Sequence, residues 1–176
     1  MPTISVFTSM TNPDDRKDPW RQALSCYEDL ADDVITIGQD FPYEFKWDYF
    51  GEIFQDAFNH AKGDWVFRMD VDYFFHEKDI PNIKRLLKKY STSPAIAFPQ
   101  YQFFTPDRYQ LKTKICLALN KKKFPEIKLN GGGDLVLPTL DNKLIEVSDV
   151  PNSRIPIYQY DSCLLYTSPS PRDTMS

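Results

Sequence analysis

Cysteine is scarce in this chain. Three occur in 176 residues, and one of them, Cys163, falls in a tail considered separately below. Cys26 and Cys116 stand far apart, a spacing that excludes a disulfide framework and a zinc site built on close cysteine pairs. Two dispersed thiols fit a reduced, cytoplasmic setting. Positive charge is not in excess either: 21 Lys and Arg stand against 25 Asp and Glu, a formal charge of -4. Such a balance argues against a nucleic-acid partner, which calls for a concentrated basic face. No apolar run is long enough to span a bilayer, so no transmembrane segment is expected. Met1-Pro2-Thr3 leads straight into a strand pattern rather than a signal peptide. No internal repeat is evident. What the chain has in quantity is aromatic residues, 15% of the total, which suits a packed globular enzyme and not a disordered chain.

The last stretch reads differently from the rest. Cys163-Leu164-Leu165-Tyr166-Thr167-Ser168-Pro169-Ser170-Pro171-Arg172-Asp173 resembles the conceptual translation of a sequencing adapter. Residues 163–176 are therefore expected to be a non-native tail, with a genuine Ser/Pro-rich tail as the alternative. Residues 1–162 are expected to form one domain, large enough for a real core and incomplete at its C-terminus.

Hydrophobic periodicity places the elements. Thr3 to Ser9 reads as a buried strand. Trp20, Ala23, Leu24, Tyr27 and Leu30 recur at helical spacing, so a helix covers about 19–31, with Asp18 as its cap and Pro19 in its first turn. Val34 to Ile37 is a second strand. Phe50, Ile53, Phe54, Ala57, Phe58 and Ala61 give a helix with one wide apolar face. Trp65 to Met69 is an apolar run, a third strand. Asp79 and Pro81 open a further helix over Ile80, Ile83, Leu86, Leu87 and Tyr90. Ala95 to Phe104 reads as a strand, with Pro99 suggesting an edge or a bend. Ile115–Leu119 and Glu126–Leu129 read as paired strands, Asn130 to Gly133 as a flexible turn, and Asp134–Leu137 and Tyr158–Tyr160 as further strands. Strands alternating with helices over the first ninety residues imply an α/β fold with a mostly parallel central sheet flanked by helices.

The third strand ends in Asp70-Val71-Asp72. Two carboxylates one residue apart at a strand end repel each other and lose solvation, and a divalent cation with oxygen ligands relieves both costs. Ligands of parallel sheets bind beyond the carboxyl ends of the strands. Thr8 and Ser9 end the first strand, and Gln39 and Asp40 follow the second, so these points converge on one crevice.

Ala61-Lys62-Gly63-Asp64-Trp65-Val66-Phe67-Arg68-Met69-Asp70-Val71-Asp72 resembles the core signature of family-2-type glycosyltransferases with the GT-A fold. The resemblance implies an incomplete GT-A domain that takes a nucleotide-diphosphate sugar donor through Mn2+ or Mg2+. It implies that Asp72 ligates the metal and that Asp70 reaches the ribose or a metal-bound water, the two together forming the metal site. Thr8 and Ser9 would lie near the nucleotide and Asp40 near the base. The acceptor would be a hydroxyl on a glycan, lipid or protein, and inversion at the anomeric carbon is the family expectation. Three departures stand out. Gly38-Gln39-Asp40-Phe41 replaces an Asp-Asp-Gly-Ser-like stretch, Ile53-Phe54-Gln55 replaces Ala-Arg-Asn, and Arg68 interrupts a strand that is usually apolar.

Other residues have two readings each. Asp134, after a glycine-rich approach, is a candidate general base, and the same stretch is also an ordinary hairpin turn. His76 with Glu77 is a possible addition to a metal shell, against a packing or capping role. Lys121-Lys122-Lys123 either steers phosphate or forms a solvated turn. Arg68 pairs with a carboxylate in the cleft or in a structural ion pair. Trp47 and Tyr49 stack on a sugar or base, or pack in the core. Rival functions are a sugar-nucleotide nucleotidyltransferase, a phosphatase using Asp-x-Asp, and a non-catalytic nucleotide-sugar-binding or scaffold protein of the same fold. The first lacks its glycine-rich basic loop here, and the second would carry its motif on the first strand.

Overall fold

A computed structural model describes residues 1–10, 19–37, 47–105, 107–132 and 135–160. The elements run β1 (Ile4–Ser9), α1 (Trp20–Leu30), β2 (Asp33–Ile37), α2 (Trp47–His60), β3 (Trp65–Asp70), β4 (Tyr73–Phe74), α3 (Ile80–Lys89), β5 (Ala95–Thr105), β6 (Arg108–Asn120), β7 (Lys128–Gly132), β8 (Leu135–Leu140), β9 (Lys143–Leu144) and β10 (Ile157–Tyr160). Seven strands form the main sheet in the order β2-β1-β3-β6-β5-β10-β4, and β7-β8-β9 form a second sheet. In the main sheet β1 is parallel to β2 and β3, and β10 is parallel to β5, while β6 and β4 run the other way. The expected α/β fold with mostly parallel strands is present.

The chain leaves β1 toward β2 on one side and returns to β3 on the other. That reversal makes a topological switch point between β1 and β3. The two crossover helices accordingly pack on opposite faces. α1 buries Ala23, Cys26, Tyr27 and Leu30 in one core with Val6, Phe67 and Met69, where α3 adds Ile83 and Leu87. α2 buries Phe54, Ala57, Phe58 and Ala61 in the other, with Phe7, Val66, Ile127 and Leu129.

The connection from α2 to β3 is locked onto β1. A Cβ on Gly63 would stand 2.5 Å from the Ser5 nitrogen and 2.7 Å from the Ile4 carbonyl carbon, so only glycine allows this approach. The Gly63 N–H donates to Ser5 Oγ (2.8 Å), and Asp64 and Thr3 exchange two backbone-to-side-chain hydrogen bonds.

Several expectations need correction. β6 pairs with β3 and β5, and residues 128–132 pair with β8 in the other sheet, so 115–119 and 126–129 are not partners. Leu119, Ile127 and Leu129 share one core, yet their strands belong to different sheets. Pro99 marks a register shift, as a bend, yet β5 lies between β6 and β10 and is no edge. Asn130, Gly131 and Gly132 belong to β7 instead of a turn. Asp79 stands at the α3 N-cap without a side-chain capping bond. Residues 121–123 form a turn in which Lys122 and Lys123 are exposed, the solvated reading, and Lys121 is turned back onto the chain. Its Nζ donates to the carbonyls of Asn59 (2.7 Å) and Ala61 at the carboxyl end of α2, where a cation is favourable. Partial burial lowers its pKa. Asp18 and the 163–176 tail lie outside the described residues.

Candidate functional site

Asp70 ends β3, and Ser9, its partner in register, ends β1. Ile37, in register with Ser9 on the other side, ends β2. The carboxyl ends of the three parallel strands therefore lie level, with the switch point between Ser9 and Asp70. β3 pairs with β6 over Trp65–Phe67 only, so the sheet opens beside Arg68 and Asp70. Alternation along the strand puts Asp70 with Arg68 and Val66 on the α2 side.

Arg68 is buried, and its guanidinium meets Asp70 and Phe54 there. One nitrogen lies 3.2 Å from Asp70 Oδ1, and the guanidinium carbon sits 5.7 Å from the ring centre of Phe54. Thus two departures from the family pattern, a phenylalanine in the helix and an arginine on the strand, touch each other. The ion pair holds Asp70 in place and offsets its charge.

Asp72 lies in the turn between β3 and β4. Its Oδ2 accepts from Gln159 Nε2 (3.0 Å), and its carbonyl accepts from the Tyr160 N–H (3.1 Å). The turn is clamped from below by α1. The fully buried Tyr27 hydroxyl lies within hydrogen-bonding reach of the Asp70 carbonyl and of the Tyr73 carbonyl (2.8 Å), the residues that bracket Val71 and Asp72. One turn position earlier, the Cys26 thiol donates to the Phe75 carbonyl (3.3 Å) and accepts from the Phe75 N–H (3.4 Å). Burial raises the pKa of Tyr27, with Cys26 and then Asp72 and Asp70 adding to it. Burial also raises Tyr73, with Asp70 next in weight. Both phenols stay neutral donors at any ordinary pH.

Thr8 reaches the same end of the sheet on the α1 face. It is completely buried, and its hydroxyl has no partner. His76 caps a short 3-10 turn by accepting from the Lys78 N–H (3.1 Å), which is the capping role. Among the described residues no three His, Cys, Asp or Glu gather into a metal cluster. Asp40 and Asp134 lie outside the described residues. Two described cavities, of about 800 and 730 Å³, are lined by α2 with residues 125–130 and by the amino end of the sheet. Neither is lined by Asp70 or Asp72.

The model of glycosyl transferase family 2 matches residues 46–150, more than half of the chain. The chain belongs to that family. No curated protein matches it. In this family-2 glycosyltransferase the matched region spans both halves of the signature, and the halves have separate jobs. Gly63-Asp64 closes the amino end of β3, and Asp70-Val71-Asp72 opens the carboxyl end. Sequence reading missed Tyr27 and Gln159. A tyrosine in the middle of an apolar helix face was the available signal, because a buried phenol needs a partner. No helix among the described residues is long and apolar enough to cross a membrane.

Proposed function

We propose that this glycosyltransferase moves a sugar from a nucleotide-diphosphate donor to an acceptor hydroxyl, assisted by Mn2+ or Mg2+. The observation that carries this reading is the placement of Asp70 in register with Ser9 at the switch point, with Asp72 in the clamped turn beside it. Two carboxylates, with no third His, Cys, Asp or Glu gathered beside them among the described residues, suit a hard cation that takes its other oxygens from a diphosphate and water. Asp72 is the residue to hold it, since Asp70 is already countered by Arg68. Such a cation, when bound, would neutralise charge on the departing diphosphate.

The chain's own residues do the positioning. Tyr27 sets the turn, Gln159 orients the Asp72 carboxylate, and Arg68 turns Asp70 toward the ribose or a metal-bound water. Ser9, and Asp40 beyond β2, serve the nucleotide. In the transfer the acceptor oxygen bonds to the anomeric carbon, and the bond from that carbon to the diphosphate oxygen breaks. Its electron pair leaves with the diphosphate, and the hydroxyl proton passes to a base, for which Asp134 is the candidate. Inversion follows from a single displacement of this kind. The buried thiol of Cys26, hydrogen-bonded to the Phe75 backbone, agrees with a reducing, cytoplasmic location.

Titration calorimetry with UDP- and GDP-sugars, with and without Mn2+, tests the reading. Binding is expected to need the cation and to weaken by at least ~2 kcal/mol in Asp72→Ala, with Asp72→Asn as the isosteric control. Equal affinity in wild type and variants would remove Asp72 from the mechanism.

A further inference from the structure

Three glutamines lie side by side across three strands and end at Asp72. Gln102 on β5 is in register with Gln110 on β6 and with Gln159 on β10. Gln110 Nε2 donates to Gln102 Oε1 (2.9 Å), and Gln159 Nε2 donates to Asp72 Oδ2 (3.0 Å). The row is exposed at Gln110 and half-buried at Gln102 and Gln159, so it opens outward from the Asp72 turn. Gln100, two residues before Gln102 on the same strand face, is 2% exposed; its side chain meets the Tyr73 phenol, and its amide nitrogen is left without an acceptor. A buried donor left unmatched is costly, and such groups concentrate where a ligand completes them. The opposite face of the same hairpin is aromatic instead, with Tyr101 and Phe103 packed against Tyr109 and Tyr158. The register shift at Pro99 sets which residues take each face.

We propose that the row Gln110–Gln102–Gln159 is the subsite for an uncharged saccharide acceptor. This rests on the donor site proposed above, because the row gains its meaning from ending at Asp72. A carboxamide offers donors and an acceptor without charge, which matches sugar hydroxyls, each of which donates and accepts. Arg108 and Lys112 flank Gln110 along β6, but the row itself carries no guanidinium or ammonium group, which an acidic or phosphorylated acceptor would call for within it. Two strand spacings cover about 10 Å, the span of roughly a disaccharide. A saccharide lying along the row brings its terminal hydroxyl to the Asp72 end, where the donor's anomeric carbon is held.

Saturation-transfer NMR on the whole chain tests the proposal. The probes are cellobiose, maltose, lactose and chitobiose, set against sialylated and sulfated lactose. At least one uncharged probe is expected to bind, and about fivefold more weakly in Gln102→Ala and in Gln110→Ala. Gln110 is exposed, so its variant carries the test if Gln102→Ala fails to fold. No uncharged probe bound, equal binding in the variants, or preference for the charged sugars each overturns the subsite. Mn2+-dependent UDP binding is measured on the same sample. Its presence without saccharide binding overturns the subsite alone, and its absence overturns the donor site on which the subsite depends.

Discussion

At the amino end of β3, Thr3, Ser5, Asp33, Gly63 and Asp64 exchange hydrogen bonds, and Asp32 accepts from the Ile4 N–H. At the carboxyl end of the sheet, Thr8 and Gln100 are buried with hydrogen-bonding atoms unmatched, and two carboxylates crowd one turn. One end is closed and locally complete. The other is held from beneath by α1 and keeps unmatched polar atoms buried within it. The contrast separates residues that make the fold from residues that use it, though Gly63-Asp64 and Asp70-Val71-Asp72 lie in one twelve-residue stretch.

Gly63→Ala is the hardest blow to the closed end. A methyl group inside 3 Å of the β1 backbone forces strand and loop apart, and a loss of about 3 kcal/mol is expected in chemical denaturation. Stability lost by less than ~1 kcal/mol would mean that the junction gives way easily. Tyr27→Phe probes the other end while keeping shape. The one hydroxyl proton that the Asp70 and Tyr73 carbonyls share is lost, and about 1.5 kcal/mol of stability should go. Because those carbonyls bracket Asp72, Mn2+-dependent UDP binding should weaken about tenfold as well. A variant with lower stability and unaltered UDP affinity would reduce Tyr27 to a packing residue.

Asp64→Ala should cost about 1 kcal/mol, since it removes only the exposed bond that the Thr3 N–H donates to the carboxylate, and should leave UDP affinity alone. A change in nucleotide affinity there would erase the distinction between the two ends. The smallest effect is confined to alkali. Tyr27 and Tyr73 have raised pKa values in the folded state, so their contribution is complete below the ordinary tyrosine pKa. It declines as pH rises past ~10, where the unfolded chain ionises first. Urea midpoints measured across that range should fall less steeply in Tyr27→Phe than in wild type.

Periodicity located the amphipathic helices α1, α2 and α3, and short apolar or aromatic runs located β1, β2, β3, β5 and β10. Each helix has an apolar pattern that only one secondary structure can bury. The pairing of Ile115–Leu119 was beyond reach for the opposite reason. Its apolar residues fit any sheet, and what selected β3 and β5 was the space those strands left open. Arg68 could be read as an ion-pair partner, but its choice of Asp70 and its contact with Phe54 depend on α2 lying over β3.

Local chemistry in the chain was enough to dictate a buried strand closed by Gly63-Asp64 and ended by Asp70-Val71-Asp72, because turn geometry, burial and charge repulsion all act between near neighbours. Only folding could decide that Tyr27, more than forty residues earlier, clamps that turn, and that Gln159, 87 residues later than Asp72, reaches its carboxylate. Hydrogen bonds across such distances arise from strand order and helix placement, which follow from how the whole set of apolar faces is buried together.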